Sequence, residues 1–207
     1  MEHTSTVFSA ELDGIEARVI EVETDINVGL HSFTIVGLAD KALSEAKERV
    51  NSALKNVGVK PPTRENRRIV VNLAPADVRK TGSQYDLAIA LGYLIASKQL
   101  KPFDARGKLF AGELSLEGRL RPMSGALAIA SLAQRAGFSQ LFVPAPNAAE
   151  AALVSGISVI PVADLRQLID HLEERIAIPV QKPTPIESRG GHPTLDLTEI
   201  HGQEHAK

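Results

Sequence analysis

Asp86-Leu87-Ala88-Ile89-Ala90-Leu91-Gly92-Tyr93-Leu94-Ile95-Ala96 carries no charge after its first residue and is apolar on every side. Its length is that of a helix, and a helix that is apolar all round is a buried one. The pattern predicts a central helix over 86–96. Just upstream, Arg68 to Leu73 reads as a buried strand. Further upstream, Val19 to Glu23 alternates, with Ile20 and Val22 on one face and Glu21 and Glu23 on the other. Phe33-Thr34-Ile35-Val36 is a second strand, and Asn27 and Gly29 between the two predict a hairpin. Asp40 is a suitable N-cap for a helix whose apolar positions are Ala42, Leu43, Ala46, Val50, Ala53, Leu54 and Val57. Gly58 closes that helix, and Pro61-Pro62 prevents its restart. Downstream, Leu109 to Ser115 and Arg119-Leu120 flank Glu117-Gly118, a second hairpin signal. Helices are predicted at Ala126–Ala136, Asn147–Leu153 and Asp164–Glu174, with short strands at 141–143 and 158–160. Strand pairs come first and β-α alternation comes later, so the fold class is a mixed α/β (α+β) domain with a mixed sheet packed with helices.

The composition excludes several function classes. The 207 residues are 43% hydrophobic and 23% charged, enough apolar material for a sizeable core. Net charge is −2, so any nucleic-acid contact must come from a local patch. Absence of cysteine removes disulfides, thiolate metal sites and thiol nucleophiles. No apolar run approaches the roughly 20 residues of a membrane span, and Met1-Glu2-His3-Thr4 does not open like a signal peptide. The expectation is a cytoplasmic protein without a membrane partner. Aromatics are 4%, leaving few platforms for stacking bases.

The chain divides into a domain over 1–175, a linker over 176–199 and the opening of a further element over 200–207. The linker rests on Pro179, Pro183, Pro185 and Pro193 interleaved with Ser188, Gly190 and Gly191.

Several segments carry a resemblance. They are Phe33–Leu38 running into Glu45–Val50, then Asn72-Leu73-Ala74-Pro75-Ala76-Asp77-Val78-Arg79-Lys80-Thr81-Gly82, Asp86–Gly92, Gly112–Pro122 and Gly125-Ala126-Leu127. From about Val7 to Val162 the chain resembles the N-terminal domain of the ComM/YifB-type, magnesium-chelatase-like AAA+ ATPases. The resemblance implies a Lon-protease-like domain of the ribosomal-S5-domain-2-like fold, with a nucleotide-binding module after it in such proteins. Members linked to competence act as hexameric DNA branch-migration motors. No G-x-x-x-x-G-K-[ST] occurs in the 207 residues, so ATP and Mg²⁺ are expected for a motor module beyond this chain and no cofactor for the chain itself. The tail from Ile200 resembles the approach to that module, and the chain reads as a domain separated from its motor.

The same resemblance locates a peptidase dyad. In the Lon pattern the serine stands two residues after the glycine of a Lys-x-Gly loop, here Lys80-Thr81-Gly82, and the position holds Gln84. The lysine stands two residues after Gly125, and the position holds Leu127. Neither side chain can be a nucleophile or a base, so no catalytic residue and no enzyme activity is expected of this chain. Ser83 with Lys80 is the only local substitute. Six histidines include His201 and His205, four apart, but no third ligand accompanies them and no metal site is predicted. Glu11, Asp13, Glu16, Glu21, Glu23 and Asp25 read as a solvated sheet face.

Lys60, Arg64, Arg67, Arg68, Arg79 and Lys80 stand against Glu65 and Asp77, a local balance of +4. Arg64, Arg67, Arg68, Arg79 and Lys80 are the candidate DNA contacts, through phosphate rather than bases. One strand separates the two groups, which predicts two patches about 20 Å apart. The expectation is a scaffold or regulatory domain of a hexameric DNA-processing AAA+ ATPase. The alternatives are a Ser-Lys peptidase with an atypical dyad and a magnesium-chelatase-type subunit.

Overall fold

A computed structural model describes residues 4–37, 41–64, 66–101 and 103–185. The cap Asp40, the side chain of Arg64, His201, His205 and the predicted segment 200–207 lie outside the described residues. Strand β1, Thr4–Asp13, turns through Gly14-Ile15 into β2, Glu16–Val28, and the two pair antiparallel over their whole common length. Strand β3 is Ser32–Val36, helix α1 Lys41–Asn56, strand β4 Arg67–Ala74 and helix α2 Asp86–Ala96. The second half adds β5 (Lys108–Phe110), β6 (Glu113–Leu114), β7 (Leu120–Arg121), α3 (Ala126–Arg135), β8 (Gln140–Pro144), α4 (Ala148–Ala151), β9 (Ser158–Val162) and α5 (Leu165–Leu172).

Seven strands form one mixed sheet in the order β3-β4-β2-β1-β5-β8-β9, and β6 and β7 form a small antiparallel pair. The α/β class with a mixed sheet read from the sequence is the one observed. The hairpin at Glu117-Gly118 is present, with Ser115 N–H donating to Arg119 O at 2.8 Å. The hairpin expected around Asn27 and Gly29 is not. β4 lies between β2 and β3, antiparallel to the first and parallel to the second. A β-α-β unit through α1 gives β3 a parallel partner with an apolar helix over it, which a two-strand ribbon would lack.

Neighbouring residues on a strand face opposite ways, and the core splits accordingly. Phe110, Phe142 and Ile160 join α1, α2 and α5 on one side of the sheet. Leu109, Leu141 and Val159 join α3 and α4 on the other. The α1 positions Leu43, Ala46, Val50, Ala53 and Leu54 are all fully buried, as their spacing predicts. In α2 every residue except Ile95 is buried.

The domain does not stop at residue 175. Ile178 is buried and its N–H donates to His171 Nδ1 at 3.0 Å. Gln181 N–H donates to Val159 O at 2.8 Å along the β9 edge, and Thr184 Oγ1 to Ala149 O at 2.6 Å. Prolines remove donors from this segment but leave Gln181 and Thr184 free to bond, so residues 176–185 are held on the domain instead of leaving it as a linker.

Candidate functional site

Alternation along β1 puts Val7, Ser9 and Glu11 on the α2 side of the sheet, and all three are buried. Glu11, expected on a solvated face, is 3% exposed. Its carboxylate accepts from Thr81 N–H at 3.3 Å, Thr81 Oγ1 at 2.8 Å, Gln84 Nε2 at 2.9 Å and the Tyr85 hydroxyl. Four donors offset the cost of taking that charge out of water. The carboxylate therefore pins the whole 81–85 loop onto the end of β1. Glu16, Glu21 and Glu23 remain exposed on the sheet as read from sequence.

Of the two positions of the peptidase pattern, Gln84 lies in this loop and Leu127 in α3. Gln84 is half-buried, and its amide also donates to Thr81 O at 2.9 Å. Leu127 is 43% exposed on the first turn of α3, with its N–H on Glu150 Oε1 at 3.1 Å. Ser83 and Lys80 do not bond each other: Ser83 Oγ donates to Glu113 Oε2, and Lys80 Nζ donates to Pro75 O. Lys80 is fully buried, which removes it from the exposed basic set read from the sequence. Burial lowers its ammonium pKa below the usual lysine range, opposed by the charges of Asp77 and Glu11. A lysine in a charged loop reads as solvated; only the folded loop, turned inward against β1, buries it.

Asp86 opens α2 at 0% side-chain exposure and receives Arg49 of α1 in a two-pronged contact, 2.6 Å from Nε and 3.0 Å from Nη2. The Leu114 N–H adds a third bond at 3.2 Å. Burial nevertheless pushes the Asp86 carboxyl up to about 6, with Arg49 pulling the other way. Arg49 itself is raised, chiefly by its hydrogen bond to Asp86. The pair ties α1, α2 and β6 together beneath the loop.

Above it lies a cleft of about 270 Å³, bounded by the 82–84 loop, the β6–β7 hairpin and α3. Gly125 stands at the start of α3, against the Leu12 that lines the cleft. It has φ 77°, and a Cβ there would stand 2.6 Å from Leu12 Cδ1, so glycine is what lets α3 approach β1.

The candidate basic residues flank strand β4. Arg67 and Arg68 begin β4, opposite Val28 and Asn27, with Arg68 exposed. Arg79 is exposed in the loop after the far end of that strand. Among the described residues no cluster of three His, Cys, Asp or Glu is placed to hold a metal ion, and no helix is long and apolar enough to cross a membrane.

A mixed sheet with a buried-acid loop at the start of α2 meets a matching family model, Subunit ChlI of Mg-chelatase, over residues 22–147. The chain belongs to this magnesium-chelatase-like family, and within it to the ComM/YifB type. It is 39% identical over 204 residues to competence protein ComM of Haemophilus influenzae, covering 97% of this chain and 39% of that protein. It is 37% identical over 194 residues to the uncharacterized protein YifB of Escherichia coli, covering 94% of this chain and 37% of the relative. The similarity extends at 23% identity over 201 residues to the Lon protease of Rhizobium meliloti, of which the chain spans 24%. The chain thus spans about two fifths of the family relatives' length. ATP with Mg²⁺, which an AAA+ module would carry, has no phosphate-cradling G-x-x-x-x-G-K-[ST] loop in this sequence.

Proposed function

We propose that the chain is a non-catalytic domain that scaffolds or regulates the hexameric ring of a DNA-processing AAA+ ATPase, in the branch migration that accompanies natural transformation and recombination. The observation that carries this reading is the match to a competence protein along 97% of the chain, joined to side chains at the dyad positions that cannot perform acyl transfer. ATP and Mg²⁺ belong to the motor module in this reading. DNA contact falls to Arg67, Arg68 and Arg79, with Arg64 beside them in sequence; Lys80 is withdrawn by burial. A single domain offers few phosphate contacts, and a ring multiplies them.

The test neutralises Arg67, Arg68 and Arg79 to Gln in the full-length protein and measures DNA affinity against salt. Each phosphate contact contributes about 0.9 to the log-log slope, so losing three should shrink the slope by about 2.7 for each subunit in contact, and affinity should fall on every sequence alike. An unchanged affinity and slope would remove these arginines from the DNA path.

The Lon similarity favours a second reading, a peptidase built on Ser83 and Lys80. The separate partners of the two side chains weigh against it. A fluorogenic-peptide assay should give no turnover; turnover that vanishes in Ser83→Ala would reverse the assignment.

A further inference from the structure

We propose that His171 is a proton-sensitive latch that holds the 176–185 segment on the domain and loosens it when the imidazole is protonated. A backbone N–H can only donate, so the 3.0 Å bond from Ile178 N–H requires an unprotonated Nδ1. The neutral ring then carries its proton on Nε2. Protonation adds a hydrogen on Nδ1, and two donors face each other where one bond had been. The segment's bonds further along run to carbonyl oxygens. Gln181 N–H donates to Val159 O at 2.8 Å, Thr184 N–H to Ala152 O at 3.0 Å and Thr184 Oγ1 to Ala149 O at 2.6 Å. Among the described residues, His171 is therefore the anchor of this segment that titrates near neutral pH. Ile178 is the segment's buried residue, so the latch sits where its apolar contact is made.

The surroundings favour the neutral ring. His171 is half-buried in the last turn of α5, its ring centroid 5.7 Å from that of Phe142 of β8. Burial lowers its pKa below the usual histidine value, and the Lys108 ammonium at the start of β5 adds to that shift. The acids around it have other partners. Asp104 is engaged by Arg106 at 2.9 Å, and Asp170 and Glu173 by Arg175 at 2.6 Å and 2.7 Å. Glu174 is exposed at the helix end. A cavity of about 540 Å³, lined by His171 with Lys101, Lys108 and these acids other than Asp170, gives solvent protons a route to the ring. Once released, His171 is solvated and titrates near its ordinary value of 6.5, above its value under the closed segment. Between the two, the open form binds a proton that the closed form does not. Closure is therefore complete above about 6.5 and is lost as pH falls below it, by up to about tenfold per pH unit. The inference rests on this segment alone and stands whatever the chain does with DNA.

The experiment follows amide hydrogen exchange of the isotope-labelled 207-residue chain by NMR from pH 7.5 to 5, corrected for intrinsic rates, with imidazole nitrogen shifts from the same samples. At pH 7.5 His171 should be the Nε2–H tautomer. Protection at Ile178 and Gln181 should fall together below pH 6.5, by up to about tenfold per pH unit. The other histidines and Asp86 also titrate, so the readout is the difference from His171→Asn. That variant places Oδ1 where Nδ1 stands, an acceptor that does not titrate, and should remove the pH dependence at both amides. His171→Phe keeps a ring against Phe142 without an acceptor and should lower protection at every pH. An Nδ1–H tautomer at pH 7.5, the same pH slope in wild type and His171→Asn, or a fall confined to Ile178 with Gln181 unmoved overturns the proposal.

Discussion

The Arg49–Asp86 pair sets a pH dependence whose sign is opposite to that of an ordinary ion-paired carboxylate. The folded carboxyl titrates at about 6, above the ordinary aspartate value of 3.8, because burial disfavours the charged form. Between those two pH values the folded chain holds a proton that the unfolded chain has released. Stability from this group is therefore complete below the lower value, is lost as pH rises through about 6, and is flat above it. Urea unfolding of wild type minus Asp86→Asn should show the wild type losing ground by about 1.4 kcal/mol per pH unit at most across that window. Arg49→Met leaves the acid buried without its cation, and removing one partner of a buried pair costs about 3–5 kcal/mol. We expect that loss at pH 7.5, with part of it recovered at pH 5 as Asp86 takes up a proton. A variant equally destabilised at both pH values would show that Arg49 acts through packing instead of charge. Glu11 is held differently, by four donors on its buried carboxylate.

Helix α2 lies so close to the first hairpin that its own propensity is overruled. Gly92 sits mid-helix, where alanine is ordinarily preferred by roughly 1 kcal/mol. Here an alanine Cβ would come 2.5 Å from Thr24 Oγ1 and 3.5 Å from Ser5 Oγ. Ser5 Oγ already donates to Gly92 O at 2.8 Å, which holds the helix down on β1. Gly92→Ala should destabilise by about 1–3 kcal/mol, the usual range for overfilling a core. Adding Thr24→Ala, which removes the obstructing hydroxyl, should return a substantial part of that loss, and thermal melts of the two single variants and the double variant would measure the coupling. Additive losses would mean that the helix shifts instead of colliding.

At the scale of the whole molecule, the two edges of the large sheet are treated differently. The β9 edge carries the 176–185 segment, while β3 is the last strand on the other side, with Thr34 and Val36 exposed. Edge strands left bare are liable to pair with other chains, yet β3 is only five residues long. In the proposed reading, ring closure belongs to the motor module. We expect the 207-residue chain to be a monomer or weak oligomer, and light scattering over a concentration series would decide it. A stable hexamer at micromolar concentration would assign ring closure to this domain.

What could be read from the residues alone was whatever repeats locally. The apolar helix 86–96, the α1 stripe, the strand at 68–73 and the Glu117-Gly118 turn each declare themselves through periodicity or turn chemistry within a dozen residues. The family was equally legible, because motifs are written in order along the chain. The place of β4 between β2 and β3 was not, since strand order is settled by long-range burial that no local pattern records. The inward turn of Glu11 and Lys80 was hidden as well. Glu11 finds its donors at Thr81, Gln84 and Tyr85, some seventy residues along the chain, only after the sheet has closed; Lys80 bonds Pro75 O five residues away, and the charge pattern does not record which way that loop turns.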